Sequence, residues 1–334
     1  VQLSFLGDTI LSTPVILGLK KIYPHADISV LTTKISAGLL GNDPLVDEVI
    51  IYDKKYSERG IIKLIKKAWQ IRNRKFDKVY SLHRSHRTSV LLFLSGIKER
   101  IGFKDASLSF LYTGIRQKKM DNHAAIRNLS LLFHDFKEYN ISKNEFKADL
   151  RLFEPSHENI SKKVQDIPKD FIVMAPGSAW KTKQWHWQGY LKVAQYYMAQ
   201  NMKIILIGGS DDAETCRQIC GKTGNDTKII DFSGQISILE TMYIMKNAKL
   251  LVCNDSMALH MASAFKTRTV AVFCATSPEF GFGPWLNFDS RVVEDQSLEC
   301  KPCRRHGSNK CPNNTKICMH FSAKKVIKAC EEIL

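Results

Sequence analysis

The chain has 334 residues, of which 44% are hydrophobic and 25% charged. This length suits two domains, and this composition is that of a globular protein and excludes a disordered one. No apolar run approaches the roughly 20 residues that a transmembrane helix needs. The formal net charge of +16 favours an anionic partner, such as nucleic acid, an anionic membrane surface or a phosphorylated substrate, although solubility alone would also account for it.

The start of the chain carries no recognisable secretory signal. Residues 1–4 resemble the end of a strand, so we expect a few natural residues to precede Val1. Without a signal peptide, a disulfide framework is not expected. Five cysteines scattered among helix and strand patterns are predicted to be buried reduced thiols: Cys216, Cys220, Cys253, Cys274 and Cys330.

The first half of the chain alternates between helix and strand patterns. Apolar residues at a helical spacing predict one helix over residues 9–23, with Pro14 in its first turn. The further predicted elements are strands at 28–31, 46–51, 79–82 and 100–102, and helices at 60–71 and 88–94. Such alternation predicts a parallel sheet with helices on both faces.

Residues 137–170 interrupt this alternation. They are polar, contain Pro155 and Pro168, and are interpreted as a linker with one or two short elements. A second alternating series then begins. Its predicted strands are 171–175, 203–207, 228–231, 250–253 and 269–273, and its predicted helices are 187–200, 212–220, 238–247 and 258–265, before an amphipathic helix at 323–333.

These patterns predict two doubly wound α/β domains, residues 1–155 and 156–322, followed by a C-terminal helix at 323–334. Two such domains in tandem would face each other across a cleft, and sheets of this type bind ligands beyond the carboxyl ends of their strands. The motifs described below all follow predicted strands, so we expect them at those ends.

Asp8 follows the first strand directly, after Gly7, which permits a tight turn. A carboxylate near the start of a helix and facing the expected cleft is suited to act as a general base. An ordinary helix-capping aspartate is the alternative interpretation.

Loop 175–185, at the end of the first strand of the second domain, has the composition of a phosphate-binding loop. Gly177 and Ser178 expose backbone that suits phosphate oxygens. Lys181 and Lys183 can neutralise a diphosphate. A surface loop with solvated lysines is the alternative.

The strongest local pattern is the strand end formed by Asn254, Asp255 and Ser256, where a helix starts at once with Met257. The first N–H groups of that helix and its dipole favour an anion. His260 lies four residues after Ser256 and so on the same helical face. A packed core histidine is the alternative for His260.

Two weaker signals come from neighbouring loops. Loop 273–284 is rich in glycine and proline, and Thr276 and Ser277 can donate to phosphate oxygens there. After the glycine turn at 207–211, Glu214 can accept hydrogen bonds from a ribose. Simple turn chemistry and a solvent-facing glutamate are the alternatives.

Taken in order along nearly the whole chain, these motifs resemble those of the family 9 glycosyltransferases, the ADP-heptose:lipopolysaccharide heptosyltransferases, in a form like heptosyltransferase II. The resemblance is carried by Gly7-Asp8 with Pro14, by the stretches 176–185, 254–260 and 273–278, and by Leu19-Lys20 and Tyr23-Pro24. It implies a GT-B fold: two Rossmann-like doubly wound domains facing a cleft, with the acceptor on the first and the nucleotide sugar on the second.

The resemblance also implies a reaction. Heptose would pass from ADP-L-glycero-D-manno-heptose to the inner core of lipopolysaccharide, either Kdo-lipid A or its heptosylated form, with inversion and with no metal or cofactor for catalysis. Asp8 matches the proposed base of the family and Lys183 its phosphate-binding lysine. The nucleotide-sugar site is matched by Asp255, Ser256 and His260, beside the candidates Ser178, Glu214, Met257 and Thr276. Met257 and Cys274 stand where glycine is usual or common in the family.

Basic residues are concentrated in the first domain. Arg84 and Arg87 lie in a stretch after a predicted strand, and Lys98 and Arg100 lie at the start of the next one. The implied acceptor carries phosphate and carboxylate groups, so these four are candidates for binding it. The same charge would hold a cytoplasmic enzyme on the anionic inner face of the inner membrane. Solvated basic helix faces are the alternative.

A cluster of four cysteines lies in loop 300–318, just before the last helix: Cys300, Cys303, Cys311 and Cys318. This spacing in a Gly/Pro/Asn-rich segment fits a structural Zn or Fe site. A reduced loop with free thiols is the alternative.

Three other functions remain to be weighed. A nucleic-acid-binding module is disfavoured, because no aromatic residue accompanies Arg304 and Arg305 near the cysteines. A family 9 transferase with another nucleotide sugar stays open, and so does a GT-B-shaped sugar-nucleotide epimerase, although the motif set argues against the epimerase.

Overall fold

A computed structural model describes residues 1–54, 57–142, 146–224 and 226–334 of the chain. It divides into two compact units, Val1–Phe153 and Glu154–Leu334. The closing helix belongs to the second unit, because Val326 and Cys330 are fully buried in that unit's hydrophobic core. The sequence pattern sets this helix apart as 323–334, whereas the structure makes it part of the second domain.

The strands of the first unit, as far as the structure describes it, form two short parallel sheets. β1 (Ser29–Thr32) pairs with β2 (Glu48–Ile51), and β3 (Lys78–Ser81), β4 (Glu99–Phe103) and β5 (Gly114–Arg116) pair in that order. The four predicted strands are confirmed, with ends shifted by one or two residues. β5 was not predicted, because three residues are too few to show a periodic pattern.

The first three residues of the chain lie between β1 and β3. Gln2 forms a parallel bridge with Thr32 at the end of β1. On the other side, the amino group of Val1 donates to the carbonyl of Tyr80 at 2.6 Å, and the amide of Leu82 donates to Val1 at 3.0 Å. The segment that follows, which carries Asp8, therefore leaves at the carboxyl ends of β1 and β3.

The helix predicted over residues 9–23 is confirmed in part, because Pro14 lies in its first turn and Ser12 is its N-cap residue, but it does not extend back to residue 9. The structure has two helices, α1 (Leu6–Ile10) and α2 (Thr13–Ile22). Pro14 has no N–H to donate to the carbonyl of Ile10, and its ring would clash with that carbonyl in a continuous helix. The hydroxyl of Thr13 donates to the Ile10 carbonyl instead, at 2.8 Å, and Pro14 lies in the first turn of α2.

The remaining helices of the first unit are α3 (Lys34–Leu40), α4 (Ile61–Arg72), α5 (His86–Leu94), α6 (Ala124–Leu129) and α7 (Phe133–Glu138). The predictions of α4 and α5 are confirmed, while α3, α6 and α7 are too short for their apolar spacing to stand out. The predicted linker contains a 3-10 turn at His157–Asn159 and α8 (Lys162–Gln165). Residues 143–145 of that linker lie outside the described residues.

The second unit is built on one six-stranded parallel sheet of order β11-β10-β9-β6-β7-β8. The strands are β6 (Phe171–Ala175), β7 (Lys203–Leu206), β8 (Ile229–Asp231), β9 (Leu250–Asn254), β10 (Thr269–Phe273) and β11 (Ser290–Glu294). The first five are confirmed to within one residue at each end. Every residue of β6, β9 and β10 is buried, as expected for central strands covered on both faces. β11 escaped prediction because an edge strand is half exposed and carries charges.

Helices cover this sheet where the sequence predicts them: α9 (Trp187–Ala199), α10 (Ala213–Gly221), α11 (Ile238–Asn247), α12 (Met257–Phe265) and α13 (Ala323–Glu331). Their ends agree with the prediction to within two residues. In the described part of the chain, no helix is both long and apolar enough to cross a bilayer.

The strand order of the second unit creates a switch point. The chain runs outward from β6 through β7 to β8, then returns to β9 on the other side of β6 and runs outward again to β11. Loops that follow two strands on either side of such a reversal diverge and leave a crevice at the carboxyl edge. The loops after β6 and β9 flank this crevice, which is the position expected for a ligand.

Candidate functional site

A buried carboxylate organises the switch point of the second unit. Oδ2 of Asp255, which follows β9, lies 2.7 Å from the ammonium nitrogen of Lys183 and accepts a 2.7 Å hydrogen bond from the hydroxyl of Thr276. The hydroxyl of Ser178 donates to the main-chain carbonyl of Asp255 at 3.1 Å. The structure thus brings together four of the predicted donor-binding residues, from loops that follow β6, β9 and β10.

Asn254 fastens the loop after β6 to the end of β9. Its side-chain nitrogen donates to the carbonyl of Pro176 at 2.6 Å, and its side-chain oxygen accepts from the amide of Trp185 at 2.9 Å. Asn254 is fully buried, so these bonds satisfy groups that would otherwise be costly to bury. Its role is to set the path of the loop that carries Lys183.

Helix α12 begins at the same place. Ser256 is its N-cap residue, in an extended conformation and without a capping hydrogen bond from its side chain. The first N–H groups of any helix have no partner inside that helix, and together with the helix dipole they attract an anion. Met257 is half-buried in the first turn, and His260 is only 5% exposed and lies beside the ring of Phe282.

The structure does not place Glu214 with this group. Glu214 is exposed on the first turn of α10 and pairs with Arg217 at 3.0 Å. Asp212, which the sequence did not single out, lies closer to the crevice: a side chain on Gly177 would meet its carboxylate at 2.1 Å. Burial raises the pKa of Asp212. Gly177 is therefore required by the position of Asp212, a relationship that only the fold reveals.

In the first unit, Asp8 lies in the first turn of α1 and is half-buried. The N-cap of this helix is Phe5, so the interpretation of Asp8 as an ordinary capping residue is wrong. Its carboxylate, at the carboxyl edge of the sheet, remains the candidate base.

Lys118 is the neighbour of Asp8 that sequence reasoning missed. It follows β5, and its ammonium lies over the ring of Phe103 at 5.0 Å. Burial, and next the charge of Arg84, lower the pKa of Lys118 to about 8, while Asp105 and Asp8 act in the opposite direction. Its distance along the chain from Asp8 explains why no local pattern indicated it.

His83 is the other group of this edge with the chemistry of a base. Burial, and then the charge of Lys54, lower the pKa of His83 to about 3. Its Nε2 accepts from the ammonium of Lys54 at 3.1 Å, so its Nδ1 donates to the hydroxyl of Thr88 at 2.7 Å. Since both ring nitrogens are engaged and the pKa is low, His83 is a weaker candidate for the base than Asp8.

The four arginines and lysines predicted to bind the acceptor fall into different environments. Arg84 is exposed after β3 and pairs with Asp105. Arg87 is committed to the protein, because it donates to the hydroxyl of Tyr52 at 2.7 Å and to the carbonyls of Glu58 and Gly60. Only Arg84 of this pair offers an exposed charge at the edge where Asp8 lies.

Lys98 and Arg100 are not brought together with Asp8. They lie at the amino end of β4, which is the opposite edge of a parallel sheet from the carboxyl ends. Arg100 also donates to the main-chain carbonyls of Leu111 and Ile97. The sequence placed these charges beside a strand, but it did not show at which edge of the sheet they would lie.

The predicted metal centre is not assembled. Among the described residues, the one group of three or more potential ligand atoms within 4.8 Å of one another is His134, Asp135 and Glu138. Asp135 of that group is buried and pairs with Lys78 and Arg116, so its carboxylate belongs to an ion-pair network. The four cysteines form no disulfide in this structure.

Main-chain hydrogen bonds and burial shift the pKa values of thiols in this cluster in opposite directions. Burial, with a smaller contribution from the other three thiols, raises the pKa of Cys318 to about 11. Hydrogen bonds from the backbone, first that of Lys316, lower the pKa of Cys311. Cys303 donates to the carbonyl of Cys300 at 3.1 Å.

The sequence matches glycosyltransferase family 9 (heptosyltransferase) over residues 63–312, and the chain belongs to that family of enzymes. It is 22% identical over 311 residues to lipopolysaccharide heptosyltransferase 2 of Escherichia coli K12, covering 87% of this chain and 85% of the relative. The resemblance described above is therefore confirmed at the level of the family.

Solved structures share the fold over almost the whole chain. E. coli ADP-heptose lps heptosyltransferase II superposes with a TM-score of 0.81 at 19% identity, covering 99% of this chain and 96% of that one. E. coli heptosyltransferase WaaC with ADP-2-deoxy-2-fluoro heptose superposes with a TM-score of 0.74 at 14% identity, with 99% and 97% covered. The predicted α/β class and GT-B fold are confirmed by these matches and by the parallel sheets.

Proposed function

We propose that the protein transfers heptose from ADP-L-glycero-D-manno-heptose to the inner core of lipopolysaccharide, with inversion and without a metal ion. The observation that carries this proposal is the buried group of Lys183, Asp255 and Thr276 at the switch point of the second unit. The relatives are heptosyltransferases, and one solved relative holds an ADP-heptose analogue, which supports the choice of donor.

The donor diphosphate would bind between the ammonium of Lys183 and the first turn of α12. Both supply positive charge to the same crevice, and they are held in place before the ligand arrives. Charge-assisted hydrogen bonds to phosphate are about twice as strong as neutral ones. Thr276, Ser178 and His260 border this place and would contact the phosphates or the sugar. The role of a metal, which is to neutralise a leaving diphosphate, would thus be taken by protein groups.

The reaction would be a single displacement. The Asp8 carboxylate removes the proton of an acceptor hydroxyl while that oxygen forms a bond to the anomeric carbon of the heptose. The bond from that carbon to the diphosphate breaks, and its electron pair stays on ADP. Attack from the face opposite the leaving group inverts the configuration. Lys183 and the α12 N-terminus stabilise the charge that develops on the diphosphate.

The acceptor would be an anionic glycolipid. Arg84 and Lys118 lie at the same sheet edge as Asp8 and can pair with its phosphate or carboxylate groups. The net charge of +16 would favour the anionic inner face of the inner membrane as the place of action, with the enzyme bound peripherally on the cytoplasmic side.

Mass spectrometry of the products tests this proposal. The purified protein is incubated with ADP-heptose and either Kdo-lipid A or its heptosylated form, and each reaction is repeated with ADP-glucose and UDP-N-acetylglucosamine. We expect one added heptose on one of the two acceptors, with the anomeric configuration of the product opposite to that of the donor by NMR. Transfer from another nucleotide sugar alone would overturn the donor. A new sugar nucleotide formed without acceptor would identify an epimerase.

A further inference from the structure

The cysteine-rich segment, residues 300–318, is attached to the loop that carries Lys183. The amide of Thr182 donates to the carbonyl of Ser308 at 3.0 Å. The hydroxyl of Thr182 donates to that same carbonyl at 2.8 Å and accepts from the amide of Ser308 at 2.8 Å. Thr182 is 5% exposed, so the three bonds are shielded from water. These bonds fasten Ser308 to Thr182, the residue directly before Lys183.

A second attachment joins the segment to the loop after β10. The amide of Cys303 donates to the carbonyl of Ala275 at 2.9 Å, and the amide of Ala275 donates to Thr182 at 3.3 Å. The ammonium of Lys301 donates to the carbonyl of Phe273 at 2.7 Å and pairs with Glu294 at 2.6 Å. The segment therefore holds together the two loops that supply Lys183 and Thr276.

Gly307 lies against the side chain of Lys183. A Cβ added to Gly307 would lie 3.0 Å from Cγ and 3.3 Å from Cε of Lys183, and 3.3 Å from the hydroxyl of Thr182. Gly307 also has a φ of +72°, in the left-handed region that favours glycine. The missing side chain leaves the space in which the stem of Lys183 runs towards Asp255.

We propose that the cysteine-rich segment is a wall of the nucleotide-sugar site and that Gly307 and Ser308 are positioning residues, which aim the Lys183 ammonium at the diphosphate of the donor. The part concerning the donor rests on the proposed function. A lysine side chain has many rotamers, and a packed stem together with the Asp255 pair restricts it to one direction. The ligand class that this arrangement serves is a nucleoside diphosphate sugar.

Substitution of Gly307 by alanine, with a matched control, tests the positioning role. Gly224 has a φ of +70°, and a Cβ added to it would meet nothing within 4 Å. Gly224→Ala therefore introduces the same backbone strain as Gly307→Ala without the contact to Lys183. The first readout needs no ligand: the rate at which acetic anhydride modifies Lys183, followed by peptide mass spectrometry. We expect faster modification in Gly307→Ala than in the wild type and in Gly224→Ala. Equal rates would overturn the proposal.

The second readout is the affinity for ADP by calorimetry in the full-length protein. A displacement of the Lys183 ammonium by a few tenths of an ångström should weaken ADP binding by up to about tenfold in Gly307→Ala, because it weakens a charge-assisted hydrogen bond to the diphosphate. If Gly307 acts through the lysine, Gly307→Ala should have little effect in a Lys183→Ala background. An equal loss in both backgrounds would overturn the positioning role. A wild-type protein that does not bind ADP would overturn the proposed donor only, because the modification rates would still decide the positioning role.

Discussion

The ammonium of Lys183 lies 2.7 Å from the Asp255 carboxylate, and their side chains are only 10% and 4% exposed. A buried ion pair of this kind contributes little net stability, because burying both charges costs about as much as their attraction returns. Removing one partner is different, since it leaves an unpaired buried charge. We interpret the pair as a means of keeping the Lys183 ammonium in the crevice, where an anionic ligand can bind to it.

Lys183→Ala should weaken the binding of ADP-heptose by about 10- to 100-fold, the usual worth of a hydrogen bond to a charged group. It should also lower the free energy of unfolding by about 3–5 kcal/mol, because the buried charge of Asp255 would lose its cationic partner and keep the hydrogen bond from the Thr276 hydroxyl. Calorimetry and urea denaturation measure the two effects. Lys181→Ala is the matched control, because Lys181 is exposed in the same turn. Unchanged kinetics of Lys183→Ala at subsaturating donor would contradict the diphosphate contact.

Asp8→Asn should reduce the rate of transfer at least about 100-fold while the affinity for ADP stays the same, because a general base contributes to the chemical step. Asp77→Asn makes the same change of charge at an exposed position before β3, at the opposite edge of the sheet, and should leave the rate unchanged. Single-turnover assays with saturating donor measure this. A residual rate above about a tenth of the wild type would exclude Asp8 as the base.

The acceptor-dependent rate should fall as the pH rises through about 8, because Lys118 loses its positive charge there. Its lowered pKa means that the cation is present below that pH and is lost above it. Between pH 8 and the ordinary lysine value, the unfolded chain binds more protons than the folded one, so this residue makes the folded state more stable as the pH rises through that window. Rates from pH 6 to 9.5 give the profile.

Two variants of Lys118 separate charge from packing. Lys118→Arg should keep its charge and flatten the decline above pH 8. Lys118→Met should lower the rate below pH 8 and approach the wild-type rate above it, with little effect on the KM for the donor. Lys119→Arg, at the exposed neighbouring position, should reproduce the wild-type profile. A decline that persists in Lys118→Arg would assign it to another group.

The cluster thiols should react with iodoacetamide in a fixed order. Cys311 should be modified first, because its pKa is lowered by backbone hydrogen bonds, and Cys318 last, because it is buried and its pKa is raised to about 11. Peptide mass spectrometry at pH 7.5 gives the order. The opposite outcome is equal protection of all four thiols, with a chelator removing both that protection and about one Zn or Fe per chain. That result would support the metal site predicted from their spacing.

The sequence by itself determined the secondary structure of the second unit and the loops of the donor site. Strands such as β6 and β9 are continuous apolar runs, because both faces of a central parallel strand are buried, and this pattern is legible locally. Lys183, Asp255 and Thr276 follow three of these strands, so their arrival at one edge could be inferred from the alternation of strands and helices. Pro14 likewise indicated the first turn of α2, as the structure has it.

Only the tertiary structure decided which groups touch. Thr182 meets Ser308 and Lys183 meets Gly307 across more than a hundred residues of chain. Lys118 is equally distant from Asp8 in sequence, yet the charge of Asp8 acts on its pKa. Arg100 carries the same charge as Arg84, yet lies at the other edge of its sheet. Periodicity reports burial within one element, whereas contacts between elements depend on strand order and on the direction in which each strand runs. No local pattern encodes those two quantities, and they place the cysteine-rich segment beside the lysine.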